Sequence, residues 1–223
     1  MRQLTFVKAG QPLEWRDVPA PRVQGPGEAI VRPVVVASDN LPDAWRTVGP
    51  YLEEQPGAPV LVVGGWGAGS IGLYAVAIAK ALGNSQIDYC DAGPAHLELA
   101  GTLGARPIEV KDTFPKRFGS YPITVKIGPP QGVASVLRST APDGVCTSVG
   151  IYFLPPRLPL LEMYTLGVTF KTSRVMARAI IPKVLDLVTS GRLHPEQITS
   201  DQATWDEAGV ALLSHRTKLV IAR

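Results

Sequence analysis

The sequence predicts an α/β protein built on a doubly wound parallel sheet, and three observations support this fold class. Strand and helix patterns alternate between residues 59 and 172. The continuous run Pro59 to Val63 is rich in β-branched residues, which is typical of a strand buried on both faces of a parallel sheet. A glycine-rich turn follows this run directly and opens a predicted helix. With 223 residues, the chain has room for one full domain and a smaller second piece.

The composition is that of an ordinary globular protein, with 45% hydrophobic and 18% charged residues. A net charge of +3 without a Lys/Arg cluster gives no indication of nucleic-acid binding. No secretory apolar core and no apolar run of 18 or more residues is present, so we expect a cytoplasmic protein without a membrane partner. Cys90 and Cys146 lie in apolar runs and are expected to be buried, inert thiols.

The first part of the chain predicts a β-rich piece followed by one helix. Short strands are expected at 3–7, 13–16 and 28–36, separated by proline and glycine. Asp39 and Asn40 can cap a bridging helix. Its apolar residues at helical spacing are Ala44, Trp45, Val48 and Leu52.

The rest of the chain predicts the alternation on which the fold class rests. Strands are expected at 59–63, 86–90, 106–110, 121–127, 144–151 and 167–172. Helices are expected at 70–82, 94–103 and 131–140, and later at 176–190 and 205–214, before a last strand at 218–222. These elements predict a Rossmann sheet of strand order 3-2-1-4-5-6 accompanied by a reduced β-rich lobe.

The glycine-rich turn is the strongest local indication of a ligand. It has the pattern G-x-G-x-x-G, in which the glycines permit a tight turn, close approach of a pyrophosphate and close packing of helix on strand. The expected cofactor-binding residues of the turn are Gly67, Ala68, Gly69, Ser70, Ile71 and Gly72. Such turns also occur in α/β proteins that bind nothing there, and the bulky Trp66 either shields this turn or hinders it.

An acidic residue at the end of the second strand of the sheet favours NAD(H) as the cofactor. Asp91 lies 19 residues beyond Gly72, near the spacing at which a carboxylate binds the adenosine ribose hydroxyls and repels a 2′-phosphate. The alternative is that Asp91 only caps the helix that begins near Pro94. His96 is either a second contact or a solvated side chain, and Gly150 is expected to bind the cofactor from the end of another strand.

Several sequence motifs resemble those of the medium-chain alcohol dehydrogenases, which are often zinc-dependent. The opening segments are similar to that family's first catalytic-domain strands, namely Leu13-Glu-Trp-Arg-Asp-Val-Pro19 and Gly25-Pro-Gly-Glu-Ala-Ile-Val-Arg32. Residues 60–151 look like its cofactor domain, including Leu97-Glu-Leu-Ala100, Leu103-Gly-Ala105 and Pro142-Asp-Gly-Val145. The tail looks like its closing segment, with Pro182-Lys-Val-Leu185, Gly191-Arg-Leu193, Trp205-Asp-Glu-Ala208 and Lys218-Leu-Val-Ile221.

The middle of the family's catalytic domain has no counterpart, because the predicted strand 28–36 passes almost at once into the bridging helix. In the family, that stretch carries the ligands of the catalytic zinc, the Ser or Thr of the proton relay and a four-cysteine lobe. Residues 1–89 contain neither Cys nor His, and a catalytic zinc needs about three protein ligands. His194, His215, Cys90 and Cys146 do not match the family's ligand motifs, so we expect no metal.

Residues for carbonyl chemistry are few. A carbonyl substrate needs an electrophile or proton donor besides the hydride source. Tyr152 follows a strand end, while Ser38 and Asp39 lie at the junction, where their position resembles that of the relay. The remaining candidates are Tyr164, expected in a loop, and Lys126, expected beneath the cofactor or as an edge charge. For each of the Ser, Asp and Tyr candidates a structural role is the alternative.

The resemblance also implies a domain organisation and an assembly. We expect a Rossmann domain at 38–173 and a remnant of the catalytic domain at 1–37 and 174–223. Strand 167–172 ends the sheet, and in dimeric relatives the corresponding strand pairs across a two-fold axis. An unpaired edge of this kind invites a partner, so we expect a homodimer.

Three functions remain open from the sequence. The first is a zinc-independent oxidoreductase that transfers hydride between NAD(H) and an alcohol or carbonyl substrate. The second is an NAD(H)-binding sensor or accessory protein without turnover. The third is a truncated variant without activity, in which even cofactor binding is lost.

Overall fold

A computed structural model of the chain describes residues 2–5, 14–17, 39–64, 69–213 and 217–222. By its internal contacts the chain divides into two units, Val36–Ile198 and the combination of Met1–Val35 with Thr199–Arg223. The predicted domains, 38–173 against 1–37 with 174–223, follow family resemblance rather than contacts, and they stay a prediction. Among the described residues, no helix combines the length and the apolar character that crossing a membrane requires.

The smaller unit begins with a two-stranded antiparallel pair. Strand β1 (Arg2–Thr5) pairs with β2 (Glu14–Asp17), with Arg2 opposite Asp17 and Thr5 opposite Glu14. Both strands lie within one or two residues of the predicted positions. The predicted strand 28–36 lies outside the described residues.

The larger unit is built on a six-stranded parallel sheet. Its strands are β3 (Val60–Val63), β4 (Ile87–Asp91), β5 (Arg106–Glu109), β6 (Tyr121–Lys126), β7 (Thr140–Ser148) and β8 (Thr169–Thr172). The strands are arranged in the order β5-β4-β3-β6-β7-β8, and every neighbouring pair is parallel. Numbered within the sheet, this is 3-2-1-4-5-6, so the predicted Rossmann fold is confirmed.

Helices cover both faces of this sheet. They are α1 (Asn40–Glu54), α2 (Ile71–Ala81), α3 (Pro94–Thr102), α4 (Val133–Ser139), α5 (Leu160–Leu166), α6 (Ala177–Thr189) and a 3₁₀ helix (Pro195–Ile198). One hydrophobic cluster joins α1, α2, α3 and α6 to the sheet, and a second cluster lies on the opposite face with α4. The bridging helix buries the four apolar residues predicted for it, and its cap position Asp39 makes no side-chain capping bond.

Strand β3 explains why the two clusters are separate. Val60 and Val62 belong to the first cluster, whereas Leu61 and Val63 belong to the second. Successive side chains of a strand point to opposite faces, so an unbroken apolar run is what a strand covered on both sides requires. All four residues are fully buried, as predicted.

The smaller unit ends with a second two-stranded pair, in which β9 (Asp201–Thr204) and β10 (Leu219–Ala222) are parallel. Between them lies the short helix α7 (Ala208–Ala211). The sequence predicts β10 but not β9, because Asp-Gln-Ala-Thr has no β-branched run. The helix predicted at 205–214 is far longer than the four residues observed.

Two further differences concern the end of the large sheet. Strand β7 begins at Thr140, four residues before the predicted start, and runs through Asp143, which adopts a φ of 57°. The chain then forms α5, where the sequence predicts a loop. No residue of α5 is fully buried, and Met163 packs partly buried against the second hydrophobic cluster.

Candidate functional site

A cleft of about 710 Å³ lies at the carboxyl ends of the central strands. Its walls come from the start of α2, from the segment after β6 and from the segment after β7. The lining residues are Gly69, Ile71, Ile127, Gly128, Pro129, Pro130, Gln131, Val149, Gly150, Ile151, Phe153 and Leu154. Strands β3 and β6 are neighbours from which the chain winds in opposite directions, and ligands of open α/β sheets bind outside such a switch point.

In the described part of the glycine turn, Gly69 and Gly72 have the surroundings that the sequence pattern predicts for them. Nothing lies within 4 Å of the point where a Cβ on Gly69 would be, so the space beside this backbone is open. A Cβ on Gly72 would lie 3.2 Å from the Tyr89 ring, because α2 packs closely on β4. Ser70 precedes α2 and is buried, with its hydroxyl accepting a bond of 3.3 Å from the amide of Asn40. Gly67, Ala68 and Trp66 lie outside the described residues.

Asp91 ends β4 at the same edge of the sheet, and its carboxylate is surrounded by donors. Its Oδ1 accepts the backbone N–H of Gly93 at 2.8 Å. Its Oδ2 accepts the hydroxyl of Tyr89 at 2.7 Å and lies 3.3 Å from Nδ1 of His96. The bond from Gly93 forms a local turn before α3, but it is not the helix cap of the alternative interpretation, because the N-cap position is Gly93 and no side-chain capping bond is made there. Three of the roughly four acceptor positions of a carboxylate are therefore taken within the chain.

These bonds set the ionisation of the pair. Burial opposes the charged form of Asp91, but the bonds from His96, Gly93 and Tyr89 outweigh it and hold the pKa of this carboxyl below its usual value. The same contact acts on the ring, since the hydrogen bond with Asp91 raises the pKa of His96 against the effect of burial. His96 is therefore bound to Asp91, with 19% of its side-chain surface exposed, rather than simply solvated.

The two segments after β6 and β7 meet at Gly150. A Cβ on this residue would lie 2.3 Å from the carbonyl oxygen of Gly128, which only a glycine permits. Gly128 has a φ of 73°, in the left-handed region that glycine adopts without cost. Gly69, Ile71 and Gly150 are thus brought together around one cleft, although their contact with a cofactor stays a prediction.

None of the described catalytic candidates lines this cleft, although the ring of Tyr152 lies beside Gly150 in its wall. The hydroxyl of Tyr152 shares a hydrogen bond of 2.8 Å with Ser148, and burial raises the pKa of Tyr152. Tyr164 is 84% exposed on α5 rather than in the predicted loop. Asp39 is an exposed residue before α1, and Ser38 lies outside the described residues.

Lys126 is a fully buried cation, with 1% of its surface exposed, so the edge-charge interpretation is wrong. It ends β6 in the middle of the sheet and donates to the carbonyl of Ile127. Burial lowers the pKa of Lys126 to about 8. On the same face lie Cys90 and Cys146, both buried and free, and burial raises the pKa of each thiol to about 12. The expected burial of both cysteines is confirmed.

Sequence reasoning missed some residues of the site. Tyr89 lies two residues before Asp91, and this spacing places both side chains on one face of a strand. Their contact could therefore have been predicted from the sequence. Phe153 is 92% exposed at the mouth of the cleft, beside Leu154. Pro129 and Pro130 shape the segment after β6, for which the dipeptide signals only a turn.

Within the ranges that the structure describes, no three His, Cys, Asp or Glu side chains lie together in a way that could hold a metal ion. The expected absence of a catalytic zinc stays a prediction.

Comparisons with known proteins place these features in a family. No family model matches the chain. It is 30% identical over 172 residues to an L-threonine 3-dehydrogenase of Bacillus velezensis, covering 73% of this chain and 47% of the relative. It is 24% identical over 190 residues to a "probable zinc-binding alcohol dehydrogenase" of Mycobacterium tuberculosis, covering 82% of this chain and 48% of the relative. The chain is related to the medium-chain, zinc-type alcohol dehydrogenases. It spans about half the length of the curated relatives it matches.

Solved structures of alcohol dehydrogenases agree with this relationship. An alcohol dehydrogenase from Thermus sp. is 29% identical, with a TM-score of 0.66, covering 79% of this chain and 53% of that one. A short chain alcohol dehydrogenase of Escherichia coli complexed with NADH has a TM-score of 0.70 at 18% identity, covering 84% and 58%. A zinc-binding dehydrogenase of Sinorhizobium meliloti bound to NADP has a TM-score of 0.69 at 16% identity, covering 83% and 58%. The last two likenesses concern the fold alone.

Proposed function

We propose that this chain binds NAD(H) in the cleft at the carboxyl ends of β3, β6 and β7, and that it is an oxidoreductase of alcohol or carbonyl substrates working without zinc. The observation that carries the proposal is the coincidence of the cleft with the glycine-rich start of α2 at the switch point. The fold neighbours that carry NADH or NADP support a nicotinamide cofactor in general. The choice of NAD(H) rests on Asp91.

The residues present fit a dinucleotide. The open space at Gly69 and the amino end of α2 suit a pyrophosphate, because backbone N–H groups and the helix dipole favour an anion there. Asp91 retains an acceptor position for a ribose hydroxyl, and the contact with His96 is long enough at 3.3 Å to yield to a second one. Gly150 has no side chain that would fill the opposite side of the cleft, while Ile127 and Phe153 line it with apolar surface that excludes water.

The nicotinamide supplies the hydride chemistry, and the protein's part is to bind, orient and protonate. Tyr152 and Ser148 form the hydroxyl pair near the end of β7, and a proton donor for a carbonyl oxygen is what the reaction needs. Since burial raises the pKa of Tyr152, its hydroxyl stays protonated at neutral pH and is able to donate. Ser38 remains the second candidate on sequence grounds.

A two-step experiment separates this function from the alternatives. Titration with NADH up to millimolar concentration, followed by quenching of tryptophan fluorescence, tests binding, since Trp66 lies next to the glycine turn in the sequence. Absorbance at the dihydronicotinamide band with a panel of alcohols and aldehydes then tests turnover. Binding without turnover indicates a sensor or accessory protein. No fluorescence change favours an inactive truncated variant and contradicts the proposal.

Substitution of Asp91 tests the cofactor choice. We expect Asp91→Ala to weaken NADH binding by roughly tenfold to a hundredfold, the value of a hydrogen bond to a charged group, and to weaken NADPH binding less. Asp91→Asn is the matched control, because an amide still accepts from Gly93 and keeps the turn while losing the charge. Dissociation constants for both cofactors check this. Equal losses for NADH and NADPH would contradict the role of Asp91 in choosing between them.

We also propose that the chain forms a homodimer through β8. This strand pairs with β7 on one side, and its Thr169, Lys171 and Thr172 are exposed. Helix α5, which precedes it, exposes Leu160, Leu161 and Tyr164. A strand edge beside exposed apolar side chains is a surface that a second copy can cover.

If the chain forms this dimer, light scattering coupled to gel filtration is expected to give the mass of two chains. Leu161→Lys is expected to shift the protein towards one chain, because it places a charge on the apolar part of this surface. Leu212→Lys, at an exposed leucine beyond α7, serves as the control and leaves the mass unchanged. A wild-type mass of one chain would rule out the dimer.

A further inference from the structure

The contact between His96 and Asp91 is the starting point, because it places a titratable ring at the end of β4. His96 lies in the first turn of α3, and its Nδ1 is 3.3 Å from Oδ2 of the carboxylate. A ring nitrogen that faces a carboxylate carries the hydrogen, so Nδ1 donates and Nε2 is the atom that gains a proton when the ring becomes charged.

The other two donors to Asp91 do not change charge near neutral pH. The backbone N–H of Gly93 carries no titratable proton. Burial and the neighbouring carboxylate raise the pKa of Tyr89 well above its usual value, so its hydroxyl stays neutral. Among the three donors to Asp91, His96 is therefore the one whose charge changes with pH near neutrality.

The described elements that pack against α3 carry the other titratable groups near the ring. Described titratable groups on its own helix and on the elements packed against it are Glu98 on α3, Asp88, Tyr89, Cys90 and Asp91 on β4, Arg106 and Glu109 on β5, and Tyr74 and Lys80 on α2. Among them, Asp91 is the group that acts on the pKa of His96, first through the hydrogen bond and then through its charge. Arg106 is occupied by Asp88, to which its Nε donates at 2.8 Å.

We propose that His96 makes the preference between NADH and NADPH depend on pH, with NADPH gaining as the ring takes up a proton. This inference rests on the proposed function, because it assumes that the adenosine ribose lies at Asp91. With a neutral ring, the pair carries one negative charge beside the 2′ position and repels a 2′-phosphate. With a charged ring, the pair is neutral overall, and the imidazolium attracts the phosphate.

The expected size follows from one added charge at close range. A partly buried charge within several ångströms of a phosphate changes affinity by about tenfold, whereas a 2′-hydroxyl carries no charge on which the ring can act. The ratio of the dissociation constant of NADPH to that of NADH is therefore expected to rise about tenfold between pH 6 and pH 9. We expect this rise in the ratio to occur above pH 6.5, because the contact with Asp91 raises the pKa of His96.

The test measures both dissociation constants by dihydronicotinamide fluorescence at several pH values, in the wild type and in His96→Gln. Glutamine still donates to Asp91 but has no titratable proton. The 2′-phosphate itself titrates near pH 6, and Lys126, which interacts electrostatically with Asp91, has a pKa of about 8. Both contributions are common to the two proteins. We expect the tenfold rise in the wild type and only the common part in the variant.

A second readout on the protein without cofactor covers the case in which the variant folds poorly. The ring resonances of His96 in NMR spectra are expected to titrate above pH 6.5 in the wild type and to shift downward in pH in Asp91→Asn. Equal pH dependence of the ratio in wild type and His96→Gln overturns the inference and leaves the proposed function standing. Absence of binding by either cofactor at every pH overturns both.

Discussion

Replacing Gly150 by alanine is expected to lower the free energy of unfolding by about 3 kcal/mol. The added Cβ would lie 2.3 Å from the carbonyl oxygen of Gly128, far inside van der Waals contact. It would also meet the Tyr152 ring at 2.6 Å, and although a ring can rotate, this one is held through its hydroxyl. The clash with a backbone atom decides the sign of the effect.

The carbonyl of Gly128 cannot retreat without breaking the end of the sheet. Just before it, the N–H of Ile127 donates to the carbonyl of Val63 at 2.8 Å. On the other side, the N–H of Val149 donates to the carbonyl of Lys126 at 3.0 Å. Both segments are thus tied to β3 and β6 within two residues of the contact, so separating them costs ladder hydrogen bonds.

Urea unfolding followed by tryptophan fluorescence measures the loss. The matched control is Gly101→Ala, because Gly101 lies in α3 and nothing is within 4 Å of its added Cβ. This control is expected to leave stability unchanged or to raise it by about 0.5 kcal/mol, since alanine is the better helix former. Because Gly150 also lines the cleft, its variant should bind NADH more weakly. An unchanged unfolding midpoint in Gly150→Ala would refute this account of the two segments.

Strand β3 and the glycine turn after it show where sequence patterns succeed. The apolar run Val60 to Val63 reflects burial on both faces of the sheet, and the glycines that follow reflect local backbone preferences. Patterns of this kind together predict the strands, the helices and the strand order. Gly72 was predicted to allow close packing, and its Cβ would indeed meet Tyr89. These features follow from residue types at fixed spacing.

Other features depend on contacts between distant parts of the chain, which spacing does not specify. Helix α5 has seven residues and is mostly exposed, and β9 is polar, so neither has a long hydrophobic period. The proximity of Gly150 and Gly128 arises only when β6 and β7 are neighbours. The predicted ribose ligand Asp91 is also the acceptor of a local turn, so the functional and structural interpretations concern the same carboxylate rather than excluding each other.

Lys126→Met is expected to raise the free energy of unfolding at pH 7 by about 2 kcal/mol, which is unusual for a substitution in a protein interior. The ammonium of Lys126 is buried on the face that carries Cys90 and Cys146, and it donates to the carbonyl of Ile127. In the described part of the chain no acidic side chain accepts a hydrogen bond from Lys126, so desolvation of the charge is poorly compensated. Methionine fills a similar volume without a charge.

The pH dependence identifies the cause. Burial lowers the pKa of Lys126 from 10.5 to about 8, so between these values the unfolded chain binds a proton that the folded chain has released. The folded wild type therefore gains stability from Lys126 as pH rises through this window, and below pH 8 it bears the full cost of the buried charge. The advantage of Lys126→Met is consequently largest near pH 7 and shrinks towards pH 10.

The comparison of the two proteins is made below pH 9, where the thiols do not affect it. The pKa values of Cys90 and Cys146 are raised to about 12, which lowers stability above pH 9, and the charge of Lys126 acts on both thiols, so their contributions differ between wild type and variant there. Lys80→Met, at an exposed lysine of α2, is the control and should change stability by less than about 0.5 kcal/mol. A loss of stability in Lys126→Met at pH 7, or an advantage independent of pH, would mean that the buried ammonium is compensated by the fold. NADH affinity measured on the same variant then tests the remaining interpretation of Lys126 as a residue beneath the cofactor, which predicts a weaker affinity when the lysine is replaced.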